Sequence, residues 1–378
     1  MSYIASLRLS DFRNYTALDV TFGSTPVVLY GPNGAGKTNL LEALSFLSPG
    51  RGLRRAKVTD IARRSDGQQA PAWGVNVTLE DDTRINIGQV PEYPGRRLVR
   101  IDGSPATGSQ LAGLLNLMWL TPAQDRLFTG PAGDRRKFLD RFALAHAPGH
   151  GLTSSRYEKA RSERNRLLSD QIDDSRWFEA LETDLAQHGA LIAQARAQTL
   201  NALQDEIVAR ESVFPRAGLA LDGTYENAVL AGQSVETVEE NLRQALRDGR
   251  RLAQRAGRTL IGPHRSDLKV THIAKSMPAE DCSTGEQKAL LIGLMLAQAR
   301  SKHATRKPIM LLDEVAAHLD EGRRAALIEE LLALETQLFM TGTDRHLFDA
   351  FQGRAQIFEV STGEVEKRDP EHNERSDY

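Results

Sequence analysis

Apolar and polar residues alternate from Tyr3 to Leu9 and again from Ala17 to Phe22, and Pro26-Val27-Val28-Leu29-Tyr30 is a short unbroken apolar run. Alternation marks a strand with one buried face, and a short continuous run marks a strand buried on both. Val75–Leu79, Arg84–Ile87 and Leu98–Ile101 are further short strands between Asp, Gly and Pro turns, which predicts an α/β core with a β-meander beside it. From Ser175 to Glu211 there is no proline and one glycine, Gly189, while Trp177, Leu181, Leu185, Ile192, Leu200, Leu203 and Ile207 recur at mostly helical spacings. Unbroken, that helix would reach roughly 55 Å at ~1.5 Å per residue. Ser234 is placed to cap another helix, with Glu236 in its first turn and a stripe of Val235, Val238, Leu242, Ala245 and Leu246. After Gly262 the α/β character returns: a helix Ala289–Ala299, a strand Pro308–Leu312, a helix Arg323–Glu335 and a strand Gln337–Thr341. The tail from Glu364 has no apolar pattern and reads as a frayed terminus. The chain thus divides into a split head, 1–112 and 255–378, and a mainly helical insert, 113–254, too short in heptads for a long coiled coil.

Of the 378 residues, 40% are hydrophobic and 26% charged, ordinary values for a soluble globular chain. The 48 basic and 50 acidic residues sum to −2, which excludes a polybasic protein and gives no overall pull on nucleic acid. The one cysteine, Cys282, can form neither an internal disulfide nor a multi-cysteine zinc site, so a cytoplasmic location is expected. With no base beside it in sequence, Cys282 reads as a buried small residue rather than a nucleophile. No apolar run approaches the ~18–20 residues of a membrane span. Arg8, Asp11 and Arg13 break up the N-terminal apolar residues, which argues against a signal peptide, and no membrane partner is expected.

The chemistry starts at Gly31-Pro32-Asn33-Gly34-Ala35-Gly36-Lys37-Thr38, which fits G-x-x-x-x-G-K-[ST] between a buried strand and a helix. The glycines let successive N–H groups point at one phosphate, the helix N-terminus adds its dipole, Lys37 reaches the β- and γ-phosphates and Thr38 binds Mg²⁺. A phosphate loop alone does not say which nucleotide binds with Mg²⁺, or which reaction follows. No guanine-reading Asn-Lys-x-Asp follows, which argues against a GTPase. Pro308–Leu312 ends in Asp313-Glu314: Asp313 is placed to hold Mg²⁺ and Glu314 to polarise the attacking water. Upstream, Ser283-Thr284-Gly285-Glu286 opens an apolar helix, either as a plain N-cap or as a second anion site.

The order of phosphate loop, insert, Ser-x-Gly helix and hydrophobic-Asp-Glu strand resembles the ABC-type ATPases. Ala316-Ala317-His318-Leu319-Asp320 stands where those proteins have a dimer-contacting loop. Leu9-Ser10-Asp11-Phe12-Arg13-Asn14-Tyr15 and the phosphate loop resemble the RecF/SMC/Rad50 group. Thr121-Pro122 with Arg135-Arg136-Lys137-Phe138-Leu139-Asp140, then Gly262-Pro263-His264-Arg265-Ser266-Asp267-Leu268, and Thr341-Gly342-Thr343-Asp344 resemble the RecF family within it.

The resemblance implies an ABC-type ATPase head: a mixed sheet with helices and a β-meander, plus the helical insert. It implies an ATP-dependent homodimer in which Ser283 acts in trans on the partner's γ-phosphate, with Arg13 and Asn14 beside the nucleotide and Gln124 as a further metal ligand. It also implies slow, DNA-stimulated hydrolysis, work with RecR and RecO at DNA gaps, RecA loading downstream, and links to replication restart and the SOS response. The chain departs from transporter ATPases by Gly342 where a switch histidine would stand, leaving Thr341 or Thr343 for that task, and by Thr284 and Glu286 in the signature. A short SMC/Rad50-like tether would need a longer coiled coil and a hinge or hook, and a transporter subunit would need the histidine. His264 and Arg265 read as structural or interface residues.

Two local charge clusters hide within the −2. Residues 51–64 hold Arg51, Arg54, Arg55, Lys57, Arg63 and Arg64 against Asp60, and residues 243–258 hold Arg243, Arg247, Arg250, Arg251, Arg255 and Arg258 against Asp248. Neither interleaves aromatics for base stacking. Each is either a solvated face or a set of backbone contacts to double-stranded or gapped DNA with little base specificity.

Overall fold

The computed structural model describes residues 3–65, 67–209 and 211–368, the side chain of His318 excepted. The chain forms two compact units, one built from the residues up to Gln124 and from Arg306 onward, the other from Asp125–Thr305.

The first unit contains two six-stranded sheets. The meander runs in the order Tyr15–Thr21, Ile4–Phe12, Trp73–Leu79, Arg84–Gln89, Leu98–Ile101 and Ser104–Pro105, all antiparallel. The second sheet runs Leu117–Leu120, Ile309–Leu312, Leu338–Gly342, Val27–Tyr30 and Gln356–Ser361 in parallel, with Glu364–Arg368 antiparallel at its edge. The parallel strands are the unbroken apolar runs, as burial on both faces requires. Leu7, Leu9, Val75 and Val77 of the meander share one core with Val27, Leu29, Leu311 and Phe339 of the parallel sheet and with the helix Lys37–Ser45. Phe12 packs edge-to-face on Phe46 and Trp73, with centroids 6.1 and 5.7 Å apart. The expected frayed tail is corrected for Glu364–Arg368, which is a paired strand whose Val365 touches the core; the rest of the tail lies outside the described residues.

In the second unit Ser175–Ala209 is one continuous helix of 35 residues, about 52 Å long. Its single glycine lies where another helix comes close: a Cβ on Gly189 would sit 2.5 Å from a methyl group of Leu242. Leu242 belongs to Val235–Asp248, capped by Ser234 and buried through Val238, Leu242 and Leu246. A three-stranded antiparallel sheet, Ala217–Asp222, Asp267–His272 and Met277–Pro278, completes the unit with the helix Thr284–Arg300.

The compact units therefore divide at 124/125 and 305/306 rather than at 112/113 and 254/255. Leu117–Leu120 is hydrogen-bonded into the parallel sheet. Asp267–His272 pairs with a strand of the insert, and Thr284–Arg300 packs on the long helix. Among the described residues no helix is long and apolar enough to cross a membrane.

Candidate active site

Val27–Tyr30 carries the chain to the C-terminal edge of the parallel sheet, where Gly31 turns with φ 150°. A Cβ at Gly31 would lie 2.1 Å from the Val360 carbonyl oxygen, so only glycine fits. Pro32, Asn33 and Gly34 form the exposed tip, Ala35 is buried beneath it, and Gly36 at φ 119° caps the helix Lys37–Ser45 with no side-chain hydrogen bond. The first N–H groups of that helix are thereby left for a ligand, which is the chemistry of an anion site. The Lys37 ammonium donates to the Gly31 carbonyl at 2.6 Å and to that of Pro32 at 2.9 Å, and a lysine has three donors. Burial lowers its pKa, against the opposing pull of Glu314 and Asp313.

Asp313 ends the strand next to Leu338–Gly342, and three elements fix it. Thr38 Oγ1 donates to its carboxylate at 2.9 Å, Thr341 Oγ1 donates at 2.8 Å, and its own N–H donates to the Leu120 carbonyl at 2.8 Å. Burial raises the Asp313 pKa and nearby Glu314 adds to that, while the two hydroxyls oppose it. Glu314 turns off the strand in the left-handed region, φ 53°, with its N–H donated to Thr341 Oγ1 at 3.0 Å. A non-glycine residue held there stores strain of about 1–3 kcal/mol. Thr341 thus braces both acids at once. A hydroxyl and a carboxylate facing each other are hard oxygen donors, the set that Mg²⁺ takes together with phosphate oxygens and water.

Gln124 is not part of this group: its amide oxygen accepts the Thr121 N–H at 2.9 Å, closing the turn after Leu117–Leu120. Gly342 stands directly beneath the loop, its carbonyl accepting the Gly31 N–H, but a Cβ there would lie 2.7 Å from the Phe348 ring. A side chain at the position of a switch histidine would have to displace that ring. Thr341 is buried as a brace and Thr343 is exposed.

Arg13 and Asn14 act from behind the loop. Asn14 Nδ2 donates to the Ala35 carbonyl at 3.0 Å, and its Oδ1 accepts from Asn39 at 2.6 Å. The Arg13 guanidinium grips Glu42 with bonds of 2.8 and 2.6 Å and the Asp60 carbonyl at 2.7 Å. Glu42 is fully buried, one turn beyond Thr38, and also receives Arg54 at 3.1 Å. Its only sequence signal is an acid inside the run Leu40–Leu44.

Ser283, in the second unit, forms a capping box. It accepts the Glu286 N–H, and its own N–H and hydroxyl both donate to Glu286 Oε2 at 2.9 Å. Lys275 pairs with the same carboxylate, and that pair, followed by the two Ser283 bonds, holds the Glu286 pKa at about 2. The segments around Arg135 and Asp267 interlock. Arg135 pairs with Asp267 at 2.7 and 2.8 Å, Arg136 donates to the Ser266 carbonyl, and Arg196 bridges Asp140, Glu226 and the Pro263 carbonyl. His264 sits between the Tyr157 hydroxyl and the Thr259 carbonyl, and burial takes its pKa down to about 4. Cys282 is buried, and desolvation raises its thiol pKa. Of the basic clusters, Arg54 and Arg63 pair with Glu42 and Asp11, and Arg243, Arg247 and Arg250 with Glu240, Glu179 and Glu182. Arg51, Lys57, Arg64, Arg251, Arg255 and Arg258 are exposed or half-exposed.

A family model described as the RecF/RecN/SMC N terminal domain matches residues 3–366. The DNA replication and repair protein RecF of Mesorhizobium japonicum is 51% identical over 373 residues, covering 96% of this chain and 97% of that protein. The chain belongs to the RecF family. A RecF of Caulobacter vibrioides is 48% identical, covering 93% of this chain and 95% of its own length. Among solved structures, the recombination mediator protein RecF with ATP in the RecFOR pathway superposes with a TM-score of 0.80 at 22% identity, over 97% of this chain and 98% of that one. The Smc head domain of Pyrococcus furiosus gives 0.56 at 20% identity, over 97% and 96%. Both have the ABC-type head fold described above for this RecF-family chain.

Proposed function

We propose that this chain is an ATP-dependent DNA-repair switch: two copies close on two ATP molecules, the closed dimer binds DNA, and slow, DNA-stimulated hydrolysis opens it. The observation that carries the reading is the buried Asp313 carboxylate, held between Thr38 of the phosphate-loop helix and Thr341 of the neighbouring strand, with Glu314 immediately after it.

The phosphates lie in the nest of N–H groups of Asn33, Gly34 and Gly36 and of the helix start. Lys37 keeps one N–H for them. Thr38 and Asp313 would hold Mg²⁺, which when bound neutralises phosphate charge. Glu314 takes a proton from the attacking water as its oxygen bonds to the γ-phosphorus; the bond to the β-phosphate oxygen breaks and ADP departs with the electron pair. Ser283, at the head of its helix, meets the γ-phosphate bound by the other copy, which must displace the Glu286 carboxylate. DNA lies against the exposed arginines and lysine of the two clusters, through backbone contacts at duplex and gapped sites with little base specificity. RecR and RecO are the proposed partners, RecA loading the downstream event, and the cytoplasm the site of action. Support comes from the family and from the solved RecF whose name places it in the RecFOR pathway.

The test is ATP hydrolysis by the full chain on duplex and gapped DNA, beside Glu314→Gln. Hydrolysis that DNA stimulates and that Glu314→Gln abolishes while still binding ATP is expected. A wild-type chain inert with and without DNA would overturn the reading.

A further inference from the structure

Tyr15 has no task in the chemistry above, yet its placement is specific. It opens the strand Tyr15–Thr21 after a tight turn in which Asp11 and Arg13 have φ 45° and 55°. The turn brings two neighbouring side chains to the back of the phosphate loop. Asn14 is engaged, bonded to the Ala35 carbonyl and to Asn39. Tyr15 is fully buried in the core, and its hydroxyl has no hydrogen-bond partner among the described residues. That hydroxyl rests against Gly36: a Cβ built there would lie 2.5 Å from it.

A buried, unpartnered hydroxyl keeps its full desolvation penalty, and phenylalanine would fill the same space without it. Burial also raises the phenol pKa, so the group stays a protonated donor. The loop it touches is closed by the Lys37 ammonium on the Gly31 and Pro32 carbonyls, contacts for which a phosphate would compete, and left-handed Gly36 joins that loop to the helix.

We propose that Tyr15 is a positioning residue whose hydroxyl gains its hydrogen-bond partner in the phosphate loop when the loop closes on a nucleoside triphosphate. The bond exists only in the bound loop, so it favours that conformation and adds to nucleotide affinity. The inference rests on the ATP reading above.

The experiment compares the full-length wild type with Tyr15→Phe, measuring melting temperature without nucleotide and affinity for ATP with Mg²⁺. The expected result has two signs. Without nucleotide the variant melts at or above wild type, by up to about 5 °C. With ATP it binds about 5–30-fold more weakly. A purely structural tyrosine moves both in the same direction. A variant that melts lower without nucleotide, or that binds ATP as wild type does, overturns the proposal. Wild type and variant both failing to bind ATP overturns the ATP reading and this proposal with it.

Discussion

At the scale of single residues, the site depends on a few atoms that share partners. Thr341 Oγ1 both donates to Asp313 and accepts from the Glu314 N–H. Thr341→Val leaves the half-buried Glu314 N–H and the buried Asp313 carboxylate each one bond short. It should lower stability by about 1–3 kcal/mol in denaturant unfolding and depress hydrolysis more than ATP binding. Unchanged turnover would rule out the brace. Gly342→Ala drives a methyl group into the Phe348 ring and should cost about 1–3 kcal/mol; the same unfolding measurement reads it. The phosphate loop and Asp313-Glu314 were legible in the sequence because their chemistry demands particular residue types at short, fixed spacing. The partnership of Arg13 with Glu42 was not, since it joins residues 29 apart through a fold that no local pattern encodes. The turn in which the Gln124 amide oxygen accepts the N–H of Thr121, three residues before it, was not read from the sequence either, since a glutamine after Thr-Pro fits a turn and a ligand position alike.

At the scale of elements, strands and helices followed their periodicity closely, and Ser175–Ala209 is the unbroken helix its spacing predicts. Which unit an element joins was not legible. Leu117–Leu120 and Thr284–Arg300 are apolar enough for any core, and only strand pairing and packing assign them. The two RecF-like segments around Arg135 and Asp267 prove to be halves of one buried network. Arg135→Ala would strand the Asp267 carboxylate beside Lys269 alone and should destabilise the second unit by about 3 kcal/mol. This network also predicts a pH response. His264 has a folded pKa of about 4, below its ordinary value of about 6.5. The unfolded chain therefore takes up the proton first, and stability falls as pH drops from about 6.5 to about 4. Asp140 and Asp267 are held below the usual carboxylate range: burial pushes both up, but Arg196 and Arg135 with their other partners outweigh it. Their contribution is present at neutral pH and is lost only at pH below about 4. Melting temperatures between pH 7.5 and 4.5 should fall for wild type and fall less for His264→Asn; parallel curves would contradict the assignment.

For the whole molecule, a net charge of −2 is compatible with DNA binding if the exposed bases act together. Substituting Arg51, Lys57 and Arg64 by alanine should weaken duplex binding across sequences and make its salt dependence shallower, by about one unit of slope for each phosphate no longer neutralised. An unchanged slope would remove that cluster from the interface. The phosphate loop and Ser283 lie in different compact units, and the proposed mechanism joins them across two chains rather than within one. Sedimentation of Glu314→Gln, with and without ATP, decides whether it does. The mechanism predicts a monomer that becomes a dimer on adding ATP, and a monomer throughout when Ser283→Arg is added. A chain that stays monomeric with ATP bound, or a dimer indifferent to both ATP and Ser283→Arg, would contradict it.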